Sequence, residues 1–89
     1  MEDGKRNIAI LGSTGSIGKQ TLEIVREHPE RFKVVGLAVM KSIDAVESQI
    51  KEFNPEIVAV YDKEKAEILA SRVSSKVKIC WGIEGLIEV

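Results

Sequence analysis

After a charged start, Ile8-Ala9-Ile10-Leu11 forms an apolar run too short for a helix and continuous enough for a parallel strand buried on both faces. The period then changes. From about Ile17 to His28, Ile17, Thr21, Leu22 and Val25 recur at helical spacing and are expected to face a sheet, and Pro29 favours a stop. Lys33 to Val39 reads as a second strand. A second helix, Ser42 to Phe53, carries Val46, Ile50 and Phe53 on one stripe and ends at Asn54-Pro55. Ile57 to Tyr61 is the third strand. Asp62 suits the N-cap of a third helix with Ala66, Leu69, Ala70 and Val73 on one face, and Val77 to Trp81 is the fourth strand.

Strands alternating with helices, without repeats or linkers, predict one α/β domain over residues 1–89 built on a parallel sheet. The expected form is Rossmann-like and three-layered. Right-handed crossovers would make it the first half of a doubly wound fold, with strand order 3-2-1-4. Glu84 to Val89 reads as the opening of a further helix without a stop signal, so the chain is expected to be a fragment of a larger protein. An uncovered apolar edge beside the fourth strand would invite self-association, so a homodimer through that surface is expected.

The chemistry concentrates between the first strand and the first helix, in Gly12-Ser-Thr-Gly-Ser-Ile-Gly18. Each glycine has its own task in a phosphate cradle. Gly12 turns the chain off the strand, Gly15 lets a pyrophosphate approach the backbone, and Gly18 lets the helix pack closely. The N–H groups at the helix start face the anion, and Ser13, Thr14 and Ser16 add hydroxyl donors. The spacing Gly-x-x-Gly-x-x-Gly is one residue longer in its first gap than the usual dinucleotide fingerprint. Strand-to-helix turns of this kind also occur without a ligand; the stacked hydroxyls and the surrounding βαβ pattern favour the phosphate.

The tip of the second strand bears on which dinucleotide is preferred. Asp or Glu there holds the ribose 2′-OH of NAD, whereas a 2′-phosphate needs donors or positive charge. The segment is Val39-Met40-Lys41-Ser42, with an ammonium, a hydroxyl and no acid. Ser42 suits both an N-cap and a ligand donor, Met40 both an apolar filler and a surface for adenine, and Lys41 both a solvated loop residue and a phosphate partner. Asp44 is an alternative ribose acid, although a carboxylate in a first helical turn also offsets the dipole.

Composition narrows the partners. Among 89 residues, 13 Lys+Arg against 14 Asp+Glu leave a formal charge of −1, which makes no electrostatic case for nucleic acid or an anionic membrane. The single cysteine, Cys80, excludes an internal disulfide and lies in an apolar run where an inert buried thiol is expected. No stretch reads as a membrane span or a signal peptide, so a cytoplasmic location is expected. The only histidine, His28, sits at a helix end away from the glycine loop and reads as a favourable C-terminal charge rather than an acid–base catalyst. No catalytic residue or metal ligand is assigned. Lys63, Glu64, Lys65 and Glu67 read as a solvated helix face, and Trp81 as a packing residue at a strand end.

The run Ala9 to Gly18, followed by Thr21-Leu22, Val25, Pro29, Phe32, Val34-Val35, Phe53-Asn-Pro-Glu56 and Glu84-Gly-Leu-Ile-Glu-Val89, resembles the N-terminal NADPH-binding domain of the 1-deoxy-D-xylulose 5-phosphate reductoisomerase family. The resemblance spans Asn7 to Val89. It implies an enzyme of non-mevalonate isoprenoid synthesis that isomerises and reduces its sugar phosphate to 2-C-methyl-D-erythritol 4-phosphate, using NADPH and a divalent metal, magnesium or manganese. By position, Thr14, Gly15, Ser16 and Ile17 correspond to the family's cofactor loop and Lys41 to the lysine beside the 2′-phosphate. Where the family commonly has Gly-Lys-Asn, this chain has Met40-Lys41-Ser42, which adds a side chain and removes an amide donor. The metal ligands and substrate contacts of the family are expected downstream, so this chain alone is expected to bind cofactor without turnover. Two other readings stay open: another NADP reductase with a similar loop, and a stand-alone nucleotide-sensing module.

Overall fold

The computed structural model describes residues 5–82, in which four strands alternate with three helices: β1 (Arg6–Leu11), α1 (Ser16–Glu27), β2 (Phe32–Val39), α2 (Ile43–Phe53), β3 (Ile57–Val60), α3 (Lys63–Arg72) and β4 (Lys78–Trp81). All strands are parallel, as the alternation of elements requires. The predicted boundaries differ from these by one or two residues at the ends. Asp62 caps α3 as expected, its Oδ1 accepting the Lys65 N–H at 3.0 Å. Asn54 ends α2 in the left-handed region at φ 50°, with its N–H bonded to Ile50 O.

The strand order is β1-β2-β3-β4, not 3-2-1-4: β4 pairs with β3, Val58 opposite Ile79 and Ala59 opposite Cys80. Docking of α3 decides this. Ala66 and Leu69 join the same buried cluster as Val46 and Ile50 of α2, and Arg72 Nη1 reaches Asp44 Oδ1 at 2.8 Å, so the third crossover keeps the direction of the first two. Right-handedness is satisfied by either order, and the sequence carries no signal between them. Ile10, Val34, Leu37, Val39, Val58 and Val60 meet the three helices in one core cluster. One helical layer and the sheet are thus seen; no described residue builds the expected third layer. Glu84 to Val89, the expected further helix, lies outside the described residues.

A bulge keeps β2 in phase with that core. Ile8 is opposite Val34 but Ala9 is opposite Gly36, so Val35 is the extra residue, and Val34 and Leu37 both face the helices despite their odd spacing. Ile17 departs from the pattern. Expected towards the sheet, it is 78% exposed, because Gly18 takes the inward position beside it. Ala70 is also exposed, which leaves α3 a narrow apolar face of Ala66 and Leu69. Cys80 is buried, as expected.

Helices α1 and α2 are tied on their outer side by Arg26, which pairs with Glu52 through two nitrogens, Nη2 at 2.8 Å from Oε1, and lies over the Phe53 ring. That hydrogen bonding holds the Glu52 carboxyl below its ordinary range. A carboxyl lowered on folding contributes stability above its unfolded pKa and loses it as pH falls through the folded one. Glu52→Gln should therefore reduce thermal stability slightly at neutral pH and leave a smaller loss on acidification than in the parent. Melting curves across the carboxylate range check this; parallel pH profiles would show that the exposed pair contributes nothing.

Candidate functional site

The loop after β1 is held by backbone bonds from below. Gly12 takes φ +74°, which only glycine adopts readily, and the N–H groups of Gly12 and Ser13 both donate to Ala38 O of β2, at 2.7 and 3.1 Å. Gly15 N–H returns to Gly12 O at 3.0 Å, and Lys19 N–H makes the first bond of α1, to Gly15 O. Gly15 is the N-cap, so no side chain caps the helix, and no acid stands in its first turn. The amides of Ser16, Ile17 and Gly18 precede that first bond and have no partner within the helix. Such a terminus favours an anion by both dipole and hydrogen bonding.

The three glycines separate by cause. At Gly18 a Cβ would lie 2.2 Å from Gly12 O and 2.7 Å from Ser13 Cα, so the loop itself excludes any side chain there. Gly12 is required by its dihedral angle. A Cβ on Gly15 would meet only Gly12 O, at 3.4 Å, so the fold has room for a small side chain and the bare backbone faces outward. That is the pattern expected where something outside the chain approaches closely.

The predicted hydroxyls are not equivalent. Ser16 is exposed and Thr14 half-buried, but Ser13 is fully buried, and its Oγ has no partner in the structure. Ser13 therefore supports the loop from inside instead of presenting its hydroxyl at the surface. Its carbonyl is held by a residue that the sequence pattern did not single out: Gln49 of α2 donates from Nε2 to Ser13 O at 2.9 Å. The available signal was a polar residue three positions after Val46 and one before Ile50 on the core-facing side of the helix.

Beside the loop, the carboxyl end of β2 carries the second predicted group. Ser42 has φ −78° and ψ 67°, and Ile43 N–H donates to Lys41 O at 2.7 Å, an inverse γ-turn that sends the chain into α2. Ser42 is the N-cap, yet its side chain makes no capping bond, so its hydroxyl stays uncommitted. Lys41 is exposed, with no ion pair to any described residue, and Met40 is 60% exposed beside it. Asp44, the alternative ribose acid, is instead bonded to Arg72 of α3. Because Gly12 N–H bonds Ala38 O, the glycine loop and Met40-Lys41-Ser42 share one end of the sheet. Leu11, Tyr61 and Trp81 are exposed at the ends of the other strands, continuing an apolar ledge along that end.

His28 is the C-cap of α1, at its far end, with Nδ1 3.8 Å from a Glu30 oxygen. A cleft of about 500 Å³ between α1 and α2, lined by Lys19, Arg26, Gln49 and Glu52 among others, lies behind the loop and includes none of residues 12–18. Among the described residues no group of three or more His, Cys, Asp or Glu could hold a metal, and no helix is long and apolar enough to cross a membrane.

A family model described as 1-deoxy-D-xylulose 5-phosphate reductoisomerase matches residues 8–89. The chain belongs to that family. It is 52% identical over 82 residues to 1-deoxy-D-xylulose 5-phosphate reductoisomerase 1 of Bacillus thuringiensis subsp. konkukian, covering 92% of this chain and 21% of that protein. Over 85 residues it is 52% identical to the Chlorobium phaeobacteroides reductoisomerase, covering 94% and 22%. The chain thus spans about a fifth of the length of these relatives. Among solved structures, a DOX-P reductoisomerase in complex with NADPH, fosmidomycin and magnesium superposes with a TM-score of 0.89 at 34% identity, covering 94% of this chain and 21% of that one. The Zymomonas mobilis enzyme in complex with NADPH gives 0.87 at 26% identity, covering 94% and 22%.

The loop's geometry gives a direct check. Gly18→Ala should destabilise the domain by about 1–3 kcal/mol, because a methyl group must displace backbone rather than a flexible side chain. Chemical denaturation measures it, and an unchanged midpoint would mean that α1 can move away from the loop freely.

Proposed function

We propose that residues 1–89 form one NADPH-holding domain, the N-terminal part of a 1-deoxy-D-xylulose 5-phosphate reductoisomerase. The uncapped start of α1, with the free amides of Ser16, Ile17 and Gly18 above a bare Gly15, carries this reading. The residues fit the cofactor: loop amides and the Thr14 and Ser16 hydroxyls for the pyrophosphate, Lys41 and Ser42 for the 2′-phosphate, and Met40 against the adenosine end. Gly12 and Gly18 shape the loop, and Ser13 braces it from within. Ile17 contributes its backbone amide while its exposed side chain borders the ledge.

When bound, NADPH supplies the hydride that reduces the aldehyde formed by rearrangement of the sugar phosphate, in a reaction that also needs a divalent metal. This chain's part is to grip the pyrophosphate and the 2′-phosphate and fix the dinucleotide along the carboxyl end of the sheet. The described residues offer no acid–base group at that end within the glycine loop. The location that goes with this reading is cytoplasmic, with neither nucleic acid nor membrane as a partner.

One charge-assisted contact is worth roughly 1.5–3 kcal/mol, with exposure favouring the lower end, so NADPH should bind about tenfold or more tighter than NADH. Lys41→Ala should erase most of that difference, whereas Gly15→Val should weaken both cofactors equally. Calorimetric titration of both cofactors against both variants decides it. Unchanged discrimination in Lys41→Ala would remove the lysine from the site.

A homodimer through the surface beside β4 belongs to the same proposal, supported by β4 as an edge strand among the described residues and by the exposed Trp81. Sedimentation should show self-association rising with concentration; a monomer throughout would count against it.

A further inference from the structure

We infer that Gln49 is a positioning residue for the cofactor loop: from α2 it fixes the Ser13–Thr14 peptide so that the Thr14 N–H points outward as a further phosphate donor. This rests on the cofactor reading of the loop given above. The geometry follows from the peptide unit. A trans peptide sets its C=O and N–H on opposite sides, and no described peptide is cis. Ser13 O is drawn inward by Gln49 Nε2 at 2.9 Å, so the N–H of Thr14, the other half of that peptide, is aimed away from α2.

The rest of the loop needs no such device. Gly12 and Ser13 N–H are anchored to Ala38 O, Gly15 N–H to Gly12 O, and the Ser16 to Gly18 amides are directed by the helix itself. The Ser13–Thr14 peptide alone is directed by a side chain. Without it, rotation of that peptide would turn a carbonyl oxygen towards the bound phosphate and exchange an attraction for a repulsion.

Gln49 is also a poor choice for packing alone. It stands between Val46 and Ile50 on a core-facing helix, and its Oε1, like Ser13 Oγ, is buried without a partner in the structure. An apolar residue at position 49 would avoid burying the unpaired Oε1 but could not donate to Ser13 O. Because Ser42 is the N-cap of α2 and Lys41 directly precedes it, the same helix follows one proposed cofactor contact at its start and sets the other from its second turn.

The test uses the ¹⁵N-labelled 89-residue chain with NADPH and, separately, inorganic pyrophosphate as probes. Gln49→Glu keeps the shape but loses the donor, and Gln49→Met keeps the length without polarity should the carboxylate prevent folding. In the parent, one Gln49 side-chain amide proton should exchange slowly, and the Thr14 amide signal should move on titration together with those of Ser16 to Gly18. Either variant should bind NADPH about tenfold more weakly and lose the Thr14 response selectively, with Ser16 to Gly18 still responding. A general loss of structure would move all four signals together and overturn the inference, as would a variant that keeps both the Thr14 response and parental affinity. A parent chain that binds neither probe would overturn the proposed function instead. In that case the free chain still decides the positioning: a Thr14 signal unmoved by either substitution refutes it.

Discussion

Two N–H groups converging on one carbonyl, those of Gly12 and Ser13 on Ala38 O, are the constraint on which the candidate site rests. That junction ties the loop to β2 before the chain enters α1. It uses up the inward amides and leaves the outward ones unspent. The close contact of Gly18 with Gly12 O then sets α1 against the loop, and the left-handed Gly12 makes the turn between them sterically possible. The outward donors are therefore a by-product of how the backbone satisfies itself: they are those that no internal acceptor reaches.

The helical layer is held differently. Its apolar stripes meet one face of the sheet, while its outer surface is crossed by ion pairs that link neighbouring helices, Arg26 with Glu52 between α1 and α2, and Arg72 with Asp44 and Glu47 between α3 and α2. Exposed pairs contribute little individually, but these occur where consecutive helices must take adjacent positions. The Arg72 contacts also engage Asp44, the alternative ribose acid of the sequence reading, and leave Lys41 and Ser42 at the β2 end as uncommitted polar groups.

Most of the elements were legible because their signals are local. Strand runs, helical spacing, Asp62 as a cap and Asn54-Pro55 as a stop depend on residues a few positions apart, and each appears where expected. The glycine loop was legible for the same reason. Ile17 and Ser13 were misplaced by the pattern: one is turned out by the inward Gly18 beside it, and the other is sealed under the loop its own neighbours form. Gln49 carried only a faint signal, since its partner lies 36 residues earlier.

The sequence by itself determined an alternating parallel α/β chain with a glycine-rich strand-to-helix loop, and a β2 end bearing a lysine and hydroxyl without an acid. These follow from backbone preferences and periodicity, which act over one or two turns of chain. Strand order, the burial of Ser13, the capture of Asp44 by Arg72 and the hold of Gln49 on the loop were decided only in the tertiary structure. Each depends on which surfaces meet after the crossovers close. Right-handedness allows more than one such arrangement, and the packing of α3 beside α2 selects among them.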